Sequence, residues 1–243
     1  MLDVDIKSKT FSSSEGEHLQ VLKNLSFHCA DHSFTCIVGP SGCGKTTTLR
    51  CILGLETDFE GAIKVASDDG RQQVSAVFQE PRLLPWRTVE QNVRLVLSRV
   101  DEGLLDALFN ELGLAAHRSF YPTELSLGLA RRASLARAFA VQPSVLILDE
   151  PFVSLDEDTA ARLRKLLLNV WSDRSCTALM VTHNLTEAIE LADRILFFAG
   201  NPAQVTADYA IEVPRAERDE ETITSIKNEI KKRGLNAVTR SVR

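Results

Sequence analysis

The sequence has few of the residues that hold small secreted domains together. Its 243 residues include five cysteines, an odd number. No two of them form a CxxC pair, and no histidine follows at the spacing of a zinc site. A disulfide framework and a zinc site are therefore disfavoured, and the cysteines are expected to be small buried residues, with Cys43 considered separately below.

Long apolar runs are also missing. The longest ones, such as residues 145–148 and 195–199, are far shorter than the roughly 20 residues that cross a bilayer. The start of the chain carries Asp3 and Asp5 where a secretory signal has basic residues, and no apolar segment follows. We therefore expect a chain that does not itself span a membrane and that stays in the cytosol.

Positive charge is in deficit, because 28 Lys and Arg face 33 Asp and Glu, for a net charge of −5. Such a chain lacks the basic surplus that binds a phosphate backbone, so nucleic acid is not an expected partner. With 44% hydrophobic and 25% charged residues, the composition excludes disordered, collagen-like and coiled-coil chains. The length fits one α/β domain with an insert.

The apolar pattern changes along the chain and predicts alternating strands and helices. Short apolar or alternating runs predict strands, whereas spacing of three and four residues predicts helices. Helical spacing dominates residues 88–139, which indicates a helical insert, and all-apolar tetrads at 145–148 and 178–181 are typical of buried parallel strands. The predicted strands are 3–9, 21–29, 35–38, 74–78, 145–148 and 178–181, with a turn at 12–16 and helices at 45–55, 157–171 and 215–233.

Residues 39–46 fit the phosphate-binding pattern GxxxxGK[ST], between a predicted strand and a predicted helix. In this loop, backbone N–H groups surround phosphate, Lys45 meets the β and γ phosphates, and Thr46 coordinates Mg²⁺. The helix N-terminus lowers the expected pKa of the Cys43 thiol. The predicted nucleotide-binding residues are Gly39, Pro40, Ser41, Gly42, Cys43, Gly44, Lys45, Thr46 and Thr47.

Two acidic residues, Asp149 and Glu150, follow the apolar run 145–148. At the carboxyl end of a central strand, Asp149 can hold Mg²⁺ through water. Glu150 can accept a hydrogen bond from the water that attacks the γ-phosphate. The alternative is a plain acidic turn.

A third feature is Ser126, which is predicted to cap a helix whose free N–H groups can face an anion.

Taken in order, these features resemble the motif set of ABC transporter ATPases. The set is completed by Gln79, the segments 125–126 and 154–156, and Thr182 with His183. The resemblance implies an α/β P-loop NTPase with a RecA-like parallel-sheet core, an N-terminal antiparallel β subdomain and an inserted α-helical subdomain. It divides a single domain, 1–243, into a nucleotide-binding core (1–87 and 140–205), a helical subdomain (88–139), and a short C-terminal helix and tail (206–243).

The same resemblance implies a role for each motif residue, with ATP and Mg²⁺ as cofactors. The catalytic residues would be Glu150, His183 and Gln79, and the metal ligands Thr46, Gln79 and Asp149. Phe11 would stack on adenine. In a head-to-tail dimer with two sandwiched ATP molecules, the signature residues Ser126, Leu127 and Gly128 would face the ATP held by the partner, and Asp156 would be the D-loop residue.

The loop at 77–89 resembles that of importers for nitrate, sulfonate and taurine. Its Leu83, Leu84 and Trp86 would form an apolar groove for a helix of a membrane permease, although packing inside the helical insert is an alternative. The expected function is ATP hydrolysis that drives import of a small anion or organic solute through separate permease subunits. A solute-binding protein would take part indirectly, and the chain would lie on the inner face of the cell membrane.

Two residues depart from the family pattern. Leu127 replaces a glycine and Arg131 a glutamine, and both would stand near the partner's γ-phosphate, where a Cβ at position 127 would resist positive φ. Because of Leu127, an alternative function is that of a nucleotide-dependent binding module without turnover. The presence of Glu150 and His183 favours hydrolysis instead. A DNA-repair or chromosome ATPase of the same superfamily would need a long coiled coil, which the sequence lacks. The transported solute is left open.

Overall fold

A computed structural model describes residues 1–12, 18–66 and 73–235. The chain divides into two compact units. The first unit comprises Met1–Asp68 and Thr177–Arg243, and the second comprises Asp69–Cys176. The predicted helical insert, residues 88–139, lies within the second unit.

Strands and helices are interspersed along the chain, and several strands pair in parallel, which confirms the α/β class. The strands are β1 (Leu2–Ser12), β2 (His18–Cys29), β3 (Phe34–Val38), β4 (Glu60–Val65), β5 (Val74–Val77), β6 (Val145–Asp149), β7 (Thr177–Thr182), β8 (Arg194–Ala199) and β9 (Gln204–Ala210). The helices are α1 (Lys45–Ile52), α2 (Val89–Arg94), α3 (Glu102–Glu111), α4 (Leu127–Ala140), α5 (Glu157–Ser172), α6 (Leu185–Leu191) and α7 (Glu220–Lys232), and short 3₁₀ turns lie at Ala115–His117, Pro122–Glu124 and Arg215–Glu217.

Two sets of strands build the first unit. The antiparallel set has the order β2-β1-β4, which confirms the predicted N-terminal antiparallel subdomain. The other set has the order β7-β3-β8-β9, in which β3 is parallel to both of its neighbours and β9 is antiparallel to β8. Strands β3 and β7 are buried along their whole length, and this double-sided burial explains why their residues are mostly apolar.

The second unit pairs β5 and β6 in parallel and also contains helices α2, α3, α4 and α5. The predicted insert contains α2, α3 and α4, and each begins at a capping side chain: Thr88, Asp101 and Ser126, respectively. The prediction that Ser126 is an N-cap is therefore confirmed. Helix α5 buries one stripe, which includes Leu163 and Leu167, as its helical periodicity predicts.

Several boundaries differ from the predicted ones. Strand β1 continues to Ser12 through a register shift between Lys9 and Thr10. Helix α1 ends at Ile52, because the chain turns through Gly54 with a φ of 67°. Ser12 belongs to β1, and the rest of the predicted turn, 13–16, lies outside the described residues.

The C-terminal helix begins later than predicted. Asp219 caps α7 by accepting a hydrogen bond from Thr222 N–H at 2.8 Å, while residues 215–217 form the separate 3₁₀ turn. Strands β4 and β9 were not predicted, because their apolar patterns are mixed. Strand β8 was also not predicted, although it contains the apolar run 195–199. Within the described ranges, no helix is both long and apolar enough to cross a membrane.

Candidate nucleotide-binding site

The phosphate-binding loop of the first unit connects β3 to α1, and its glycines are required by its geometry. A Cβ at Gly39 would lie 2.5 Å from the carbonyl oxygen of Phe198, so no side chain fits there. Gly42 and Gly44 have φ values of 78° and 94°, which glycine adopts readily and other residues rarely. The loop therefore depends on glycine at three of its positions.

Lys45 supplies the positive charge inside this loop. Its Nζ donates hydrogen bonds to the carbonyl oxygens of Gly39 and Pro40, both at 2.8 Å. The side chain is buried, whereas Ser41, Gly42 and Thr46 are exposed. The ammonium group is therefore buried beneath exposed loop residues at the start of α1. The N-terminus of this helix adds a partial positive charge there.

The pKa prediction for Cys43 is wrong. The thiol is buried, and burial raises its pKa above the usual value, although the nearby Lys45 charge acts in the opposite direction. The desolvation of a thiolate outweighs the attraction of one ammonium group and the hydrogen bonds from the backbone here. Cys43 therefore fills space in the loop, with its Sγ near Gly39.

His183 leaves the sheet beside the phosphate-binding loop. Strands β3 and β7 are parallel neighbours, and Val38 lies opposite Thr182. The residues that follow, Gly39 and His183, therefore emerge at the same edge from strands spaced about 5 Å apart. The His183 side chain is exposed at this edge of the sheet.

A buried glutamate holds both chain neighbours of His183, and the sequence reasoning missed it. Thr182 Oγ1 donates to Glu187 Oε2 at 2.6 Å, and Asn184 Nδ2 donates to Glu187 Oε1 at 3.3 Å. Asn184 N–H also donates to Thr182 Oγ1 at 3.0 Å. This network restrains the backbone on both sides of His183. A glutamate four residues after the histidine is the sequence signal that could have indicated it.

Phe11 is connected to the phosphate-binding loop through strand β2. Phe11 is the register partner of Leu19, which is two residues, or roughly 7 Å, from Val21. A Cβ at Gly44 would lie 3.3 Å from Val21 Cγ1. Phe11 is exposed, and Lys9 Nζ lies 4.4 Å from its ring centroid, so a cation covers one face of the ring.

In the second unit, the strand ends bring Gln79 and the two acidic residues together. Strands β5 and β6 are parallel, and Val77 lies opposite Leu148. Gln79 and Glu150 are each two residues further along, at the same edge, and Asp149 ends β6 in a buried position. Glu150 has a φ of 45°, which is uncommon without glycine and bends the chain away from the strand direction.

The signature residues begin helix α4. Ser126 Oγ accepts a hydrogen bond from Leu129 N–H at 3.3 Å. A Cβ at Gly128 would lie 3.1 Å from Thr159 Cγ2, so there is little room for a side chain. Leu127 is the first helical residue and is exposed. Its backbone is helical, so the expected strain from positive φ is absent and only the bulk of its side chain distinguishes it from glycine.

Asp156 begins the next helix of the same unit. Its side chain accepts a hydrogen bond from Thr159 N–H at 2.9 Å, which makes it the N-cap of α5. Hydrogen bonding to Thr159 lowers the pKa of this exposed carboxyl group. Asp156 is thus a charged, exposed side chain at a helix start.

Arg131 does not lie at an exposed surface, contrary to the expectation that it faces a partner's phosphate. It is 3% exposed. Its Nη1 donates to the carbonyl oxygen of Phe78 at 3.0 Å, and its Nη2 donates to that of Val153 at 3.3 Å. Burial lowers the pKa of its guanidinium group.

Two further side chains hold the loop after Gln79, and the sequence reasoning missed both. Arg137 donates to the carbonyl oxygens of Pro81 and Arg82 at 2.8 and 2.7 Å. Asn92 is fully buried and hydrogen-bonds the backbone between residues 84 and 88. Trp86, on the loop so held, is 71% exposed. It therefore does not pack inside the helical insert.

Comparisons with known proteins agree on one family. Residues 22–153 match the family model described as ABC transporter. The chain is 39% identical over 204 residues to the aliphatic sulfonates import ATP-binding protein SsuB of Bacillus thuringiensis subsp. konkukian, covering 82% of this chain and 81% of that protein. It is also 39% identical over 226 residues to SsuB 2 of Burkholderia lata, covering 90% of this chain and 81% of that protein.

Solved structures give the same result. The dimeric ATP-binding cassette MJ0796 in a post-hydrolysis state, bound to ADP and Pi, aligns with a TM-score of 0.75 and 26% identity over 88% of this chain and 100% of that one. A second dimeric MJ0796 structure, described as a bacterial ABC transporter cassette, aligns with a TM-score of 0.75 and 25% identity. The chain therefore belongs to the ABC transporter family of ATP-binding cassettes.

Proposed function

We propose that this chain is the ATP-hydrolysing subunit of an importer for aliphatic sulfonates or a similar small anion or organic solute. The observation that carries the proposal is the placement of the motifs at paired strand ends: Gly39 beside His183 in the first unit, and Gln79 beside Glu150 in the second. The sulfonate class is supported by the names of the similar import proteins.

The phosphate-binding loop is proposed to hold the β and γ phosphates of ATP. Lys45 is buried and donates to two loop carbonyls, so phosphate oxygens can take over these bonds with the gain of a full opposite charge. The absence of side chains at Gly39, Gly42 and Gly44 lets backbone N–H groups approach the phosphates. Phe11 offers its ring to the adenine.

Thr46, Asp149 and Gln79 are the proposed Mg²⁺ ligands, and their chemistry fits the ion. All three provide hard oxygen donors, which Mg²⁺ prefers over nitrogen and sulfur. Mg²⁺ usually keeps several water and phosphate ligands in addition to one or two protein carboxylates. When bound, Mg²⁺ neutralises charge that develops on the phosphate oxygens.

Glu150 is proposed as the general base. Its carboxylate accepts a proton from the water that attacks the γ-phosphate, and the bend at its positive φ sets it apart from Asp149 on β6. His183 is proposed to donate a hydrogen bond to the γ-phosphate, with its backbone restrained through Glu187. Gln79 is proposed to orient the attacking water.

A head-to-tail dimer is proposed to complete the reaction, as the dimeric cassettes of similar fold suggest. Ser126, Leu127 and Gly128 at the start of α4 would meet ATP held by a second copy, because this helix N-terminus carries a partial positive charge. Leu127 is 41% exposed, so its side chain is available to the partner. Asp156 would contact the partner through its exposed carboxylate.

The loop that carries Trp86 is proposed as the docking surface for a permease subunit. A tryptophan that is 71% exposed presents a large apolar area, and aromatic residues of this kind dominate protein interfaces. Asn92 and Arg137 hold the loop backbone, so the surface exists before the partner binds and little ordering is required on association. This contact would hold the chain at the inner face of the membrane.

Substitution of Glu150 tests the enzymatic part of the proposal. Glu150→Gln cannot accept the proton but leaves Lys45 in place, so we expect phosphate release to fall at least 100-fold, with ATP affinity unchanged within a few-fold. Glu60→Gln, at an exposed position on β4, is the matched control and is expected to stay within twofold. A Glu150→Gln rate within twofold of the unmutated chain would remove Glu150 from the base role.

The solute is tested in the assembled transporter. The chain is purified from membranes of its own organism, its partners are identified by mass spectrometry, and the complex is placed in liposomes with its solute-binding protein. Ethanesulfonate is expected to stimulate ATP hydrolysis, while maltose at the same concentration is expected to have no effect. Stimulation by maltose alone would contradict the proposed solute class, and copurification without any permease would contradict the transport role.

A further inference from the structure

Arg131 connects three segments of the second unit that carry proposed functions. It lies on α4, five residues after Ser126. Its Nη1 donates to the carbonyl of Phe78, directly before Gln79, and its Nη2 donates to the carbonyl of Val153, in the segment that leads to Asp156. One side chain thus joins the signature helix to the backbone of both other segments.

This arrangement is costly, which argues that the two contacts matter. The guanidinium group is buried and donates to neutral carbonyls, and its Nε has no hydrogen-bond partner among the described residues. Burial makes this cation expensive to desolvate, and the attraction of the Glu80 carboxylate only partly offsets that cost. The planar fork of arginine places two nitrogens on two separate acceptors, which neither lysine nor an apolar side chain can do.

We propose that Arg131 is a positioning residue that keeps the Gln79 segment, the Asp156 segment and the start of α4 in one fixed relation. Displacement of the Gln79 segment moves the Phe78 carbonyl, and the rigid guanidinium group transmits that movement to Val153 and to α4. The inference rests on the proposed function, since these segments affect ATP hydrolysis only if Gln79 and Asp156 act in it.

Arg137 provides a matched control on the same helix. Its guanidinium group also donates to two backbone carbonyls and has a pKa lowered by burial. Both of its acceptors, Pro81 and Arg82, belong to one segment, however. Arg137→Met therefore removes the hydrogen bonds of a buried arginine to one segment only. Arg131→Met replaces arginine by a side chain of similar length and removes the hydrogen bonds that join two segments.

The test combines steady-state kinetics with amide hydrogen exchange on the full chain. For Arg131→Met we expect kcat to fall at least tenfold, an ATP KM within twofold, and faster exchange in both segments 78–80 and 152–156. Arg137→Met serves as the control for the exchange measurement, and for it we expect faster exchange confined to 81–84. The lysine ammonium of Arg131→Lys reaches only one carbonyl at a time, so this variant should give an intermediate kcat. If Arg131→Met does not fold, the result for Arg131→Lys decides the test.

Two results would overturn the inference. The first is a kcat for Arg131→Met, or for Arg131→Lys in its place, within twofold of the unmutated chain. The second is an increase in exchange in only one of the two segments. Glu150→Gln in the same assay separates the two proposals: if it hydrolyses ATP at the unmutated rate, the proposed function fails, whereas the exchange pattern still judges the role of Arg131.

Discussion

Asn92 provides the sharpest stability prediction, because one buried side chain holds a whole loop. It lies on α2 and is 0% exposed. Its Oδ1 accepts from Leu84 N–H at 2.7 Å, and its Nδ2 lies within hydrogen-bond distance of the carbonyls of Leu84, Arg87 and Thr88, at 3.1, 3.0 and 3.0 Å. Asn92→Ala removes every one of these contacts.

The size of the effect follows from the number of hydrogens. Nδ2 carries two hydrogens for its three acceptors, so Asn92 makes at most three full hydrogen bonds, including the one from Leu84. Each contributes about 0.5–1.5 kcal/mol net, and a buried backbone group left unpaired costs more. We therefore expect Asn92→Ala to lower the free energy of unfolding by about 2–4 kcal/mol. Asn92→Asp should cost more, because a carboxylate would face three carbonyl oxygens.

Urea denaturation of the full chain measures this effect. Asn110→Ala is the matched control, because Asn110 is an exposed asparagine on α3, and it is expected to change the free energy of unfolding by no more than about 0.5 kcal/mol. If Asn92→Ala loses less than about 1 kcal/mol, below the value of two typical hydrogen bonds, the loop is held by other contacts and the reasoning is refuted.

Three further predictions concern Trp86, Leu127 and Cys43. Trp86→Ala should change the free energy of unfolding by no more than about 0.5 kcal/mol and weaken permease binding by roughly 30-fold, as loss of a hot-spot residue does; a lower melting temperature with binding intact would place Trp86 in the core. Leu127→Gly should raise basal phosphate release and make it less dependent on protein concentration, because removal of the bulky side chain favours dimer closure; an unchanged or lower rate would show that the site is adapted to leucine. Cys43 should react with iodoacetamide at pH 7.5 at least tenfold more slowly than free cysteine, because burial raises its pKa, and the rate should rise with pH and vanish with Mg-ATP. Equal labelling of Cys43 with and without Mg-ATP would contradict its place in the phosphate-binding loop.

The sequence by itself determined the features that depend on short spacing. The glycines and Lys45 of the phosphate-binding loop, the acids after an apolar run, and the Ser126 cap are each set by residues within a few positions of one another, and local backbone geometry dictates their residue types. The fold class followed for the same reason, since apolar periodicity reports which faces of strands and helices are buried. Strands β4 and β9 could not be predicted in this way, because their apolar and polar residues follow no clear pattern.

Only the tertiary structure decided what depends on contacts between distant residues. The register of Val38 with Thr182 places His183 beside the phosphate-binding loop across more than a hundred residues of chain. Burial reversed the expected pKa shift of Cys43, because desolvation depends on everything packed around the thiol. Arg131 was visible as an unusual residue, but its acceptors lie 53 and 22 residues away along the chain. No local pattern encodes such pairings, since they arise when separate segments fold onto one another.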